Sequence, residues 1–415
     1  MFGLITGGCS MKRFAAVLVA LLVSNVHGVA LAADSDTTLR TYWKDGLRME
    51  TADKQFKFKM GGRIMVDWAW FDVDQSIETA TEEHKSSTEF RRARLYLAGE
   101  IYESVIFKAQ YDFAGGDADF SDVYVGLKGL GPLGTVRIGH VFEPIGLEQN
   151  TSSKYITFME RSLTGVFTPG RNTGILFNNN CVDGRMTWAL GAFRDTDSFG
   201  DSGDDNMNLS ARLTGTPVAT DDALVHLGVS YRYGVPDDTM LELDSRPSVH
   251  MAEDWVDTGD LDIDTNHTVG GELAAIMGPG SFQVEYFHQT NESDSGASVD
   301  DPEFTGYYVM GSVFVTGESR NYDSKKASFK RVKPHENFTT DGGTGAIELA
   351  LRFSSLDLTD GGATGGELWD VTAAINWYLN PNTRVMLNYV HADVEDGVVA
   401  DGEGDMFQTR FQIDF

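Results

Sequence analysis

A chain of 415 residues with 33 Lys and Arg against 62 Asp and Glu carries a formal charge of −29, a balance that excludes nucleic-acid binders, which need clustered cations. Its 45 glycines, 10 prolines and 14 tyrosines show no compositional break, so the length reads as one large unit rather than linked domains. Two cysteines, Cys9 and Cys181, exclude a disulfide framework.

At the N-terminus, Lys12 and Arg13, the apolar run FAAVLVALLV over 14–23 and ALA over 30–32 make an export signal of residues 1–32, with Met11 as a candidate true start. That run is the longest apolar one and falls short of the ~20 residues a membrane-spanning helix requires, so any insertion has to use strands. Cys9 leaves with the leader, and Thr6, Gly7 and Gly8 before it do not make a lipid-attachment site. Residues 33–52 read as an N-terminal periplasmic segment ahead of a strand-rich domain over 53–415.

That domain opens with FKFKMGGRIMVDWAWF, 56–71, which puts Phe56, Phe58, Met60, Ile64, Val66, Trp68 and Trp70 at even positions and Lys57, Lys59, Arg63 and Asp67 at odd ones. Successive strand side chains point to opposite faces, so this is a ribbon with one oily and one charged side. At about 3.3 Å per residue it extends roughly 50 Å, about three times an ordinary soluble strand. An oily face of that length needs a large apolar partner.

The alternation recurs over 90–101, 105–113, 122–128, 135–139, 173–177, 187–194, 208–215, 224–233, 268–277, 281–289, 307–315, 345–353, 367–379, 383–391 and 405–415, giving about sixteen strands with no helix between them. This predicts an all-β fold, a transmembrane antiparallel up-and-down β-barrel. Tight turns at 129–134, 277–281 and 380–383 alternate with long polar segments, the asymmetry of periplasmic turns and external loops. One connection, 316–344, falls on the turn side yet has the length of a loop. The last strand places Phe407, Phe411, Ile413 and Phe415 on one face, as a closing strand with an interfacial aromatic does. A soluble β-sandwich also alternates, but with shorter strands and no aromatic end.

Charge is distributed unevenly. The external segments 72–88, 195–207, 235–266, 290–303 and 393–402 carry −4, −5, −9, −5 and −4, nearly all of the total. They hydrate the rim and are placed to bridge through divalent cations to lipopolysaccharide. The faces opposite the oily ones hold Lys57, Lys59, Arg63, Arg92, Arg94, Lys108, Arg137, Arg212, Arg232, Arg352, Arg384 and Arg410 against Asp67, Glu100, Asp112, Asp122, Glu285, Glu348 and Asp370. A narrow aqueous bore so lined attracts anions, unless the arginines merely pair with neighbouring carboxylates and leave no useful selectivity. No metal site or cofactor is expected: the acids at Asp260, Asp262 and Asp264 lack an EF-hand's glycine and final glutamate, having Thr265 and Gly271 in those places.

The segment 141–172, VFEPIGLEQNTSSKYITFMERSLTGVFTPGRN, balances Glu143, Glu148 and Glu160 against Lys154, Arg161 and Arg171 and is rich in apolar residues. It reads as a third loop folded into the bore; an outer flap against neighbouring subunits would share this composition.

WKDGLRMETADKQFKFKMGGR (43–63), EFRRARLYLAG (89–99), GLEQNTSSKYITFMERS (146–162), VMGSVFVTGESRNYD (309–323) and the closing FQTRFQIDF form an ordered set over nearly the whole mature chain. The set resembles the phosphate-selective porin O and P family. The resemblance implies a sixteen-stranded homotrimeric channel of the Gram-negative outer membrane whose third loop folds inward, with arginines, lysines and loop serines coordinating phosphate or similar oxyanions. By motif match the anion-binding constriction falls to Arg63, Arg91, Arg92, Ser152, Ser153, Lys154 and Arg161, with Lys57, Lys59, Arg94, Lys108 and Arg137 as further lumenal cations. Parity favours Arg92 over Arg91 as the lumen-facing one. Two departures argue for a broader anion range. Gln149 stands where phosphate-specific members have lysine, and Arg246 is the only arginine of the fifth-loop stretch DSRPSVHMAED (244–254).

Two rivals remain: a non-selective general porin, and a structural or adhesive barrel that only displays acidic loops. Catalytic residues are not expected, since no nucleophile elbow, HExxH pair or phosphate-cradling glycine loop is present.

Overall fold

The computed structural model describes residues 38–81, 85–195, 206–220, 222–399 and 401–415. The expected export signal, 1–32, and residues 196–205 of the expected fourth external loop lie outside these. A hairpin of β1 (Leu39–Trp43) and β2 (Leu47–Thr51) comes first, within the segment read as periplasmic. The wall then runs through β3 (Phe56–Val73), β4 (Ser86–Ile101), β5 (Val105–Asp112), β6 (Asp119–Leu127), β7 (Thr135–Phe142), β8 (Arg171–Cys181), β9 (Met186–Arg194), β10 (Met207–Ala219) and β11 (Ala223–Val235). The two-residue strands β12 (Met240–Leu241), β13 (Asp244–Ser245) and β14 (Val256–Asp257) lie in the fifth external loop. The wall continues with β15 (Leu261–Met277), β16 (Gly280–Ser293) and β17 (Glu303–Phe314). After the small hairpin β18 (Asn321–Asp323) and β19 (Ser328–Lys330), it ends with β20 (Ala346–Asp360), β21 (Ala363–Asn380), β22 (Thr383–Glu395) and β23 (Gly402–Asp414).

Every wall pairing is antiparallel, and β23 pairs with β3 from Gly404↔Val73 to Asp414↔Arg63, so sixteen strands close on themselves and leave no edge. Phe415 finishes the closure, donating its N–H to Gly62 O (3.1 Å) and accepting from Gly62 N–H (2.8 Å). The expected strands are all present, mostly longer than the sequence suggested. The external connections are less uniform than expected: the second spans 113–118 and the seventh is only Gly361–Gly362, because β20 and β21 run on where a loop was expected.

The two-sided wall is explicit in β3, where Met60, Ile64, Trp68 and Trp70 are exposed while Arg63, Met65, Asp67 and Ala69 are buried. Exposed Trp, Phe, Leu and Val outside and buried Arg, Asp, Asn and Thr inside invert the order of a soluble domain. Hydrocarbon must therefore wet the exterior.

Three segments fill part of the lumen. The third external loop, 143–170, buries Ile145, Leu147, Ile156, Phe158, Met159, Leu163 and Phe167. From above, the fifth loop adds Leu243, Val249, Ala252, Trp255 and Val256 to one cluster with Leu163, Phe167 and the wall residues Phe287, Phe304, Leu356, Leu368, Val390 and Met406. Side chains so buried contribute about 1.5–3 kcal/mol each, enough to hold these loops inside. From below, the connection 316–344 also turns inward, burying Tyr322, Ala327, Phe329 and Val332. Its length, anomalous for a periplasmic turn, is thereby explained.

Candidate ion pathway

The infolded loop is tied down by carboxylates on and near the wall. Glu285 of β16 accepts the N–H groups of Leu147 (2.5 Å) and Glu148 (2.8 Å), capping the single helical turn Leu147–Asn150, and also accepts from Tyr308 Oη (2.5 Å). Glu148 in turn accepts from Ser162 N and Oγ, both 2.9 Å. Arginines of the opposite strands hold the loop's carbonyls: Arg352 donates to Glu160 O (3.0 Å), Arg384 to Ile156 O (2.8 Å) and Arg410 to Met159 O (2.5 Å). Arg212 does the same for the periplasmic segment, donating to Ala327 O (3.2 Å) while paired with Glu272. Cations on β10 and on β20 to β23 that the sequence counted towards the bore thus serve as anchors.

Open space beside the infolded loop lies against β3 to β10. A cavity of about 310 Å³ there is lined by Arg63, Arg92, Arg94, Lys108, Arg161 and Arg171, with Asp122 as its one carboxylate among the described residues, together with Phe142, Gln149, Asn150, Ser152, Ser153 and Gly170. Arg161 is shared with a cavity of about 270 Å³ above it, between the third and fifth loops. Lys108, Asp122, Phe142 and Asn150 are shared with one of about 350 Å³ below it, where Arg137, Lys325 and Lys326 join the lining. Shared lining residues thus set the three in one column through the lumen.

The cations along it differ in compensation. Arg94 donates to Asp112 (2.6 Å), Arg171 to Asp122 (2.6 Å), and Lys108 also pairs with Asp122. Arg63 donates to Ser153 Oγ (2.6 Å), and Arg92 reaches only Met65 Sδ (3.9 Å), so neither is matched with a carboxylate among the described residues. Arg161 donates to the carbonyls of Glu148, Gln149 and Thr151 at 3.0–3.3 Å. Burial lowers its guanidinium to about 10 against the pull of Glu148 and Glu160. It therefore stays charged at neutral pH.

Of the expected site residues, the structure brings Arg63, Arg92, Ser152, Ser153 and Arg161 together, with Arg94 and Lys108 beside them. Arg91 corrects the parity argument. A β-bulge between Met65 and Val66, paired with Arg92 and Phe90, leaves Arg91 as the extra residue of β4. Phe90 then points out while Arg91 and Arg92 both point in, Arg91 forming two 2.9 Å bonds to Glu160 in the upper cavity. Burial disfavours the Glu160 charge, but Arg91, Arg410 and Arg92 outweigh it and hold the carboxyl well below its usual range. Lys154 is displaced from the constriction: its ammonium lies 3.6 Å from Asp414 and over the Tyr155 ring. Lys57 pairs with Glu100 (3.0 Å), Lys59 lies over the Tyr96 ring, and Arg137 donates to Asn178 (3.0 Å). Asp122 was among the inward-facing acids expected, but sequence reasoning missed Phe142 and Arg171 as lining residues; Arg171 was legible only as part of the loop's charge balance.

A model of the family described as phosphate-selective porin O and P matches residues 58–415. The chain belongs to that family. Porin O of Pseudomonas aeruginosa is 28% identical over 444 aligned positions, covering 97% of this chain and 98% of that protein. Among solved structures, the outer membrane channel DcaP of Acinetobacter baumannii aligns at a TM-score of 0.53 and 11% identity, covering 88% of this chain and 99% of that one. An anion-selective porin from Comamonas acidovorans aligns at 0.51 and 13%, covering 87% and 100%. At those identities the two share the barrel fold. As a porin O and P member with a hydrocarbon-facing wall, the chain resides in the Gram-negative outer membrane and forms a porin. Its two departures acquire positions. Gln149 lines the constriction and donates to Thr168 O (3.1 Å), and Arg246 in the mouth is neutralised by Asp254 (3.1 Å).

Proposed function

We propose that this porin passes small hydrophilic solutes by diffusion with a preference for anions. The supporting observation is the constriction, where six cations face one carboxylate and where Arg63 and Arg92 have no matching carboxylate among the described residues. Low-dielectric walls concentrate that field on a narrow path. Guanidinium forks beside the Ser152 and Ser153 hydroxyls replace part of an anion's hydration shell while leaving it free to depart. Phosphate and similar oxyanions suit such donors, and glutamine at position 149 favours a broad range over high phosphate specificity. We read the chain as a channel and not an enzyme, exported by cleavage near Ala32, assembled as a homotrimer and set among lipopolysaccharide.

The test is the zero-current potential of the purified porin in a planar bilayer under a KCl gradient. A potential of the sign set by chloride supports the proposal, and one set by potassium refutes it. The infolded segments favour a second reading, a closed structural barrel, which would give no conductance at all.

A further inference from the structure

The barrel's exterior carries a groove that the channel does not use. It runs over β9, β10 and β11 near the periplasmic turn 182–185, with a volume of about 530 Å³, and is lined by Val182, Met186, Leu213, Pro217, Leu227 and Val229. Its origin lies in β10. Outward-facing positions of this strand carry Leu209, Leu213 and Pro217, but Gly215 between them has no side chain, and a Cβ there would meet nothing closer than Arg185 O at 4.0 Å. The register with β11 slips between Gly215 and Val218, which bends the strand away beside the gap.

Among the described residues one charged side chain, Arg185, borders this apolar trough. Arg185, exposed and on the turn, accepts Thr216 N–H at its carbonyl (2.7 Å), while its guanidinium has no hydrogen bond or ion pair among the described residues. The turn is on the same end of the barrel as Phe415, the periplasmic end and so the side of the inner leaflet.

From this geometry we propose that the groove holds one phospholipid of the inner leaflet, with an acyl chain lying over Gly215 between Leu213 and Leu227 and the phosphate on Arg185. Charge complementarity selects the occupant. A second copy of the chain would have to bring its own apolar ridge and an anion to Arg185, whereas a phospholipid supplies chain and phosphate at this spacing and is already present in the membrane. Lipopolysaccharide is excluded by depth, since its phosphates lie at the other rim. Packing against a fixed trough and a charge-assisted phosphate contact would distinguish this lipid from its freely exchanging neighbours.

The experiment uses the full porin in detergent with added phosphatidylglycerol, counting lipids retained per assembly by native mass spectrometry across a delipidation series. The wild type should keep one lipid per chain after the others are lost. Arg185→Glu should weaken that retention by roughly tenfold, the scale of a lost charged hydrogen bond. Gly215→Phe, which fills the trough from the lipid side, should abolish it, while Val125→Phe on the exposed face of β6 should not. Equal retention in all four proteins overturns the proposal. So does a change in oligomer mass without a change in lipid count, which would assign the groove to a second copy.

Discussion

Replacing Arg92 with methionine removes one charge from the constriction while keeping the side chain's bulk and its contact with Met65. An anion passing roughly 6 Å from that guanidinium is attracted by about 0.7 kcal/mol where water screens fully and by about 3 kcal/mol at an effective dielectric of ~20. A cation is repelled by the same amount. The ratio of anion to cation permeability should therefore fall by roughly tenfold even at the lower figure, since about 1.4 kcal/mol corresponds to a factor of ten. Arg92 is buried in the wall, and Glu160, whose charge it helps to hold, keeps its direct pairs with Arg91 and Arg410 when Arg92 is lost, so no unpaired acid should confuse the reading. The assay is the zero-current potential of wild type and Arg92→Met under one KCl gradient. An unchanged ratio would refute the claim that this uncompensated arginine sets selectivity.

Other expectations follow from the same contacts. Burial lowers the Lys154 ammonium to about 8 against the pull of Asp414, so a positive charge that adds to the field of Arg63, though displaced from the constriction, is lost as pH rises through that value. Anion preference should decline over that range in the wild type and not in Lys154→Met; an equal decline in both would show that another group titrates. Glu285→Gln turns an acceptor of the Leu147 and Glu148 N–H groups into a donor facing one of them and leaves a buried N–H unsatisfied, costing about 1–3 kcal/mol. Single-channel current should become noisy while the thermal unfolding temperature of the barrel stays unchanged, and a quiet current would contradict the capping role. Val315 N–H donates to Ile347 O (3.0 Å), so residues 318–343 can be replaced by a short turn. Conductance should rise; no change would mean the segment does not narrow the lumen.

Much of the barrel was legible because period-two alternation is a local property, and a lipid-facing strand such as 56–71 cannot compromise it without exposing charge to hydrocarbon. The inward fold of the third loop was legible for a related reason: Ile145, Phe158 and Phe167 are apolar residues that an external loop has no use for. The extra residue in β4 was not, because a bulge inserts one position into the alternation without a signal in residue type, and parity then misassigned Arg91. Nor could alternation separate Arg92 from Arg410. Both face inward, but Arg410 is paired with Asp67 (2.6 Å) and Glu160 (2.7 Å), partners set by closure of the barrel and by the loop's path. Compensation is a long-range property, and it decides which cations an ion meets.

The division of the lumen into a conducting half and a packed half is tested most directly by cysteine accessibility in a Cys181→Ser background, which removes the exposed native thiol. Asn178→Cys and Gln149→Cys, on the cavities along β3 to β10, should react with a membrane-impermeant anionic thiol reagent and lose current. Thr372→Cys and Asn388→Cys, buried on the inner faces of β21 and β22, should not. Equal modification of both pairs, or modification of the second pair alone, would contradict the account.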